Sequence, residues 1–280
     1  GNIISECKSY LLYGRFIKVV PKVTIDDEFF IGTTNVFNVN EKDGKLPNEA
    51  INIINQRISE IRTDSDQKLY VTKFKAGDQI IGLDQLKDYA FTENTTLTLM
   101  KENKYSVAYT IDGKVENKYY TRNSSGSVEG TPIPDVSALE NEDRQFYRWK
   151  DANNKAYTSV EVKTLLNSNP SKNNHSFINW WAYHFLFKVE SVGRKTPKLT
   201  IPYLNKTDET CEAGTIIENY VPSGEKITVS IDNYLIGPKT EVKSTDGFID
   251  MSNSYNLLGG TTTKTAEIPE KAVTITVIKG

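Results

Sequence analysis

One stretch leaves the chain little choice of conformation. In Tyr105-Ser106-Val107-Ala108-Tyr109-Thr110-Ile111, aromatic or branched apolar side chains take the odd positions and small or polar ones the even positions, and Asp112-Gly113 follows at once. Alternation of period two marks a strand with one buried face. An Asp-Gly pair supplies the positive φ that a two-residue hairpin turn demands, so a hairpin is expected from Tyr105 to Tyr120. The same reading places strands at 10–20, 23–31, 69–74, 95–100, 115–121, 146–149, 178–189, 198–203, 226–231 and 272–278, with further Asp-Gly turns at Asp43-Gly44 and Asp246-Gly247. The 15 Tyr and 11 Phe, set among abundant Thr and Val, suit pleated, half-buried surfaces better than helices.

Helical periodicity is rare. After Pro47, apolar residues recur at three- and four-residue steps through Ala50, Ile51, Ile54, Ile58 and Ile61, which predicts a helix over 47–62 with one face against a sheet. A shorter helix is expected over 159–167, with Thr158 or Ser159 as its N-cap and Asn169-Pro170 ending it. A single helical turn is expected over 83–89.

Three times a Gly- or Pro-containing approach leads to a closing strand, at Ala76-Gly77-Asp78, at Gly130-Thr131-Pro132 and at Ala213-Gly214-Thr215. The closing strands, expected at 91–99, 178–189 and 268–277, start about 90 residues apart, the spacing of small domains. The expected build is α+β and mainly β: tandem small β-grasp-like or sandwich-like modules in an extended row, over 1–103, 104–190 and 191–280. The first has the ββαββ order of a β-grasp. The third has no clear helix. The polar stretches 101–104 and 190–195 are the expected joints.

Chemistry is sparse. Lys and Arg number 34 against 36 Asp and Glu, which lacks the basic excess of a nucleic-acid binder, and no apolar run is long enough for a membrane-spanning helix. Cys7 and Cys211 stand far apart with no CxxC spacing, which speaks against structural zinc; idle thiols or one long-range disulfide are both open. The two histidines, His175 and His184, face opposite ways if they share a strand, and no nucleophile elbow, phosphate loop or zinc-protease motif occurs. Carboxylates at Asp26, Asp27, Glu28, Asp64 and Asp66 read as solvated turns. Asp151-Ala152-Asn153-Asn154-Lys155 begins like a calcium loop, but Lys155 stands where a ligand belongs, so a turn is expected. No catalytic residue, metal ligand or cofactor is predicted. The better lead is aromatic: if 178–189 is a strand, the adjacent Trp180 and Trp181 point to opposite faces, and an outward Trp beside Tyr183 or Tyr147 can stack on a sugar or anchor a protein.

The middle third carries a recognisable pattern: Val107 to Lys114, then Pro132-Ile133-Pro134-Asp135, then Phe146-Tyr147-Arg148-Trp149-Lys150-Asp151, and a closing Phe177 to Ala182. It resembles the Listeria–Bacteroides repeat, or internalin B-repeat, a β-grasp-like module strung in tandem in exported bacterial proteins. Arg148 stands where the family has Gly, and the segment 159–167 is inserted. The resemblance implies a non-enzymatic, exported protein at the cell surface or secreted, presenting a binding face to a protein or glycan. A phage virion component, fibre or capsid decoration, is an alternative, and so is a carbohydrate-binding accessory region of a larger enzyme.

Overall fold

The isoleucine stripe forms the helix α1 (Asn48–Thr63), with Ala50, Ile54, Ile58 and Ile61 buried, in a computed structural model that describes residues 19–64, 66–168, 174–193, 196–232, 239–251 and 261–279. Pro47 is its N-cap, where the missing N–H breaks no helical bond. The stripe shares one apolar core with a five-stranded sheet made of β1 (Lys22–Ile25), β2 (Val36–Asn38), β3 (Leu69–Ala76), β4 (Gln79–Gly82) and β5 (Thr95–Asn103). The order is β2-β1-β5-β3-β4. β1 and β5 run parallel, while the other neighbours are antiparallel. Two strands, a helix, and a last strand returned in parallel beside the first make a β-grasp arrangement, but β2 falls outside the strands expected before the helix and three strands, not two, follow it. The strand expected over 23–31 stops at Ile25 because the Asp27 carboxylate accepts from Phe29 N at 3.0 Å and starts a 3-10 turn. The strand expected over 10–20 lies outside the described residues up to 18.

The expected joint at 101–104 is not a linker. β5 runs through Asn103, and Lys104 is buried, its Nζ donating to the carbonyls of Ile61, at 3.0 Å, and of Asp64. A cation there closes the exposed carbonyls of the last turn of α1, and burial lowers the Lys104 pKa.

Next come β6 (Tyr105–Ile111), β7 (Lys114–Arg122), β8 (Val128–Glu129), β9 (Arg144–Lys150), β10 (Ala156–Tyr157), α2 (Ser159–Ser168) and β11 (His175–Val189). Asp112 and Gly113 turn β6 into β7 with φ of 49° and 79°, as the hairpin requires. Thr158 proves to be the cap of α2: its Oγ1 accepts from Glu161 N and its own N–H is accepted by Glu161 Oε1, both at 3.1 Å, a reciprocal capping box. The chain then continues through β12 (Lys198–Ile201), β13 (Lys206–Thr210), β14 (Ile216–Pro222), β15 (Lys226–Ile231), β16 (Thr240–Ser244), β17 (Thr262–Glu267) and β18 (Val273–Lys279). The strand expected over 198–203 ends at Ile201, where Pro202 opens a 3-10 turn.

Packing divides the chain into two units, not three. One takes the described residues up to Ser106 together with Tyr119–Pro132; the other takes Val107–Lys118 together with the described residues from Ile133 onward. The reason lies in β11. Its first part pairs with β6 and β9, its last part with β14 and β18, so the strand expected to close a middle module at 104–190 is also central to the module expected at 191–280. Glu190, at the other expected joint, donates its N–H to Val277 O at 2.9 Å. A second sheet in this unit has the order β13-β12-β15-β17, with Leu199, Ile201, Ile227, Val229 and Ile231 buried on one side.

Candidate functional site

Along β11 the odd-numbered side chains turn inward: His175, Phe177, Trp181, Tyr183, Phe185, Phe187 and Val189 are buried. Trp180, one residue out of phase, lies half-buried on the opposite face with the exposed Ile178. The adjacent tryptophans are therefore split between faces, as the strand period predicts. Tyr183 follows Trp181 to the inner side, away from the Trp180 ring, although all three line one cleft.

Tyr147 is brought to Trp180 by a bulge. In the β9–β11 ladder Trp180 pairs with Arg148, but Trp181 pairs with Phe146, so Tyr147 is the extra residue and escapes the alternation that would turn it inward. Its ring meets Trp180 edge-on at 4.9 Å and Tyr203 at 5.7 Å. Two cations complete the group: the Arg148 guanidinium lies 4.4 Å from the centre of the Tyr147 ring, and Lys150 Nζ lies 3.7 Å from that of Trp180. Trp180 Nε1 donates to Ser223 O at 2.9 Å, which fixes the ring. Burial raises the Tyr203 pKa. Sequence reasoning missed Tyr203, Arg148 and Lys150; the even spacing of the last two along β9 was the available signal.

Behind the outer face, Trp181 is locked in place. Its Nε1 donates to Asp112 Oδ1 at 2.9 Å, and Arg144 grips both Asp112 oxygens at 3.1 and 2.9 Å while stacking 4.1 Å from the Trp181 ring centre. Hydrogen bonding from Arg144, then from Trp181, holds the Asp112 carboxyl below its ordinary range despite some burial. Trp149 sits deeper, fully buried, against Tyr109 at 4.8 Å and Phe146 at 4.9 Å.

Along Asn179–Trp181 one edge of β11 is left unpaired. β6 pairs with β11 only as far as Ile178, and β14 only from Ala182. A cleft of about 440 Å³ opens there, lined by Asn179, Trp180, Trp181, Asp112, Lys150 and Ser223 among others. Asn179 Oδ1 accepts from Asp112 N at 3.3 Å, whereas its buried Nδ2 has no partner. The Asp151 loop is a turn: Oδ1 accepts from Asn153 N at 2.9 Å and Lys155 N at 3.0 Å, and Oδ2 from the Tyr157 hydroxyl at 3.0 Å.

The remaining polar candidates are spread apart. His175 is buried on the inner side; His184 lies on the other face, its Nε2 2.6 Å from Glu218 Oε1. Asp27 is tied to Lys101 at 3.0 Å, and Asp64 caps its own turn through Asp66 N at 2.9 Å. Cys211 is buried and free, its thiol pushed up to about 11 by burial; Cys7 lies outside the described residues. Among the described residues, no three His, Cys, Asp or Glu side chains are grouped to hold a metal, and no helix is long and apolar enough to cross a membrane. No protein-family model matches the chain, and no curated protein matches it.

Proposed function

We propose that this chain is a non-enzymatic binding protein, exported by a bacterium to its surface or surroundings, and that it holds a protein or glycan ligand on the outer face of the β9–β11 ladder. The observation that carries the reading is the half-buried chain Trp180, Tyr147 and Tyr203, with edge-on contacts at 4.9 and 5.7 Å. Aromatic groups held rigid lose little freedom on binding and offer large apolar area beside polar tips. Trp180 and Tyr147 sit on the β9–β11 ladder and Tyr203 on the 3-10 turn after β12, so two of the three are held by paired strands. The resemblance of the middle segment to the Listeria–Bacteroides repeat supports the exported, surface-associated setting.

A glycan array and a protein-partner screen with the full chain test the proposal. Binding that Trp180→Ala abolishes, in a variant whose melting temperature stays near that of the parent, is the expected result. A ligand bound equally well by the parent and by Trp180→Ala and Tyr147→Ala variants would place the binding face elsewhere.

A further inference from the structure

We infer that the ligand of this face is an acidic glycan, a sugar polymer bearing carboxylates; the inference rests on the binding role proposed above. Neither Arg148 nor Lys150 forms an ion pair with a described carboxylate. Arg148 spends one N–H, from Nη1, on Tyr147 O at 2.8 Å, and Lys150 Nζ lies over the face of Trp180. In the adjoining cleft the Asn179 amide nitrogen, buried, is a third donor without an acceptor.

Of the carboxylates nearby, Glu270, which also lines the cleft, and Glu225, which acts on Tyr203, form no ion pair with a described cation, but the other three are engaged. Asp112 receives Arg144 on both oxygens and Trp181 on one. Asp151 receives two backbone N–H groups and a tyrosine hydroxyl, and Glu161 receives Thr158 N in the capping box. Directly on the rings of Tyr147 and Trp180, the surface therefore offers Arg148 and Lys150 as cations without a paired carboxylate. A guanidinium wants two acceptors in one plane, which a carboxylate supplies. A uronic acid joins that carboxylate to a ring whose C–H face packs on an aromatic side chain, so one sugar residue meets both demands at neighbouring positions of a single strand.

The test measures binding of the full chain to immobilised polygalacturonate, alginate and hyaluronan, with methyl-esterified polygalacturonate and poly-glutamate as controls. At least one uronate polymer is expected to bind, roughly tenfold or more tighter than the ester, the loss of one charge-assisted contact being about a factor of ten. Raising salt from about 50 to about 500 mM, which shortens the screening length severalfold, is expected to weaken it. An Arg148→Gln/Lys150→Gln double variant should lose the preference for the free acid with its melting temperature unchanged. Equal affinity for ester and acid would overturn the acidic assignment and leave the aromatic face standing as a neutral-sugar site. Poly-glutamate binding as tightly as the best uronate would move the assignment to acidic protein. Failure of every uronate polymer to bind would also overturn it, and the array and partner screen then decide the parent reading alone.

Discussion

Replacing Ile275 by Ala tests whether the second unit is one cooperative body. Ile275 lies on β18, fully buried, paired with Phe187 of β11 on one side and Ser244 of β16 on the other. Truncating a buried isoleucine in a filled core costs about 2–5 kcal/mol, since the cavity left behind closes only in part. That is a large share of the roughly 5–15 kcal/mol by which a domain is stable. With a urea slope of about 2 kcal/mol per molar, a loss near 3 kcal/mol moves the unfolding midpoint by about 1.5 M. All three tryptophans, Trp149, Trp180 and Trp181, lie on β9 and β11, so tryptophan fluorescence reports the segment that sequence spacing assigns to a separate middle module. In Ile275→Ala the fluorescence midpoint should fall by that amount and coincide with the far-ultraviolet circular dichroism midpoint. A fluorescence transition left in place, with an earlier loss of dichroism alone, would refute the shared-strand account and restore separate modules.

Asp112→Asn keeps a residue type tolerated at positive φ but removes the ion pair with Arg144. Because the folded pKa of Asp112 is depressed from 3.8, its contribution is complete above that unfolded value and disappears as pH falls through the folded one. With the carboxylate side chain 40% exposed, the difference at neutral pH should be only about 1 kcal/mol. Urea midpoints of parent and variant should converge as the solution is acidified below pH ~4, and a constant gap would refute the assignment. At Gly44, φ is +73° and an added Cβ would meet Phe91 O at 2.7 Å, whereas at Gly77, φ +59°, it would meet nothing within 4 Å. Both alanine variants carry the left-handed penalty of about 1–2 kcal/mol, but thermal melts should show Gly44→Ala to be clearly the less stable, and equal melting temperatures would contradict the steric argument.

Local pattern was legible wherever side chains alone decide it. The alternation of 105–111 and the Asp-Gly turn after it return unchanged as β6 and its hairpin, and the isoleucine stripe returns as α1 within a residue at each end. Strands made mostly by their partners were not legible: β2, β4, β8 and β10 are short edge or near-edge segments, and β13 and β17 are polar ladders whose burial pattern shows little alternation. The joints failed for a related reason. Lys104 and Glu190 look like solvated linker residues, yet one caps a helix and the other extends a ladder. A charged side chain states its preference for water, not whether the backbone beside it is paired.

The candidate face shows the same division more sharply. That Trp180 and Trp181 part company needed only the period of a strand, but Tyr147 is three residues from Lys150 and by simple alternation belongs on the inner side with Trp149. It reaches the outer face because the ladder slips by one residue between Trp180 and Trp181, and the slip matches the inner packing: Phe146 then faces Trp181, rings 6.1 Å apart, and also touches Trp149 at 4.9 Å. Inner packing and outer face are thus two consequences of one bulge. The inner aromatic cluster favours the register in which Phe146 points inward, and that register is what delivers Tyr147 to Trp180. The outer aromatic group therefore depends on a core residue that no ligand would touch, and truncating Phe146 should disturb Tyr147 through the backbone before it disturbs anything else on that face.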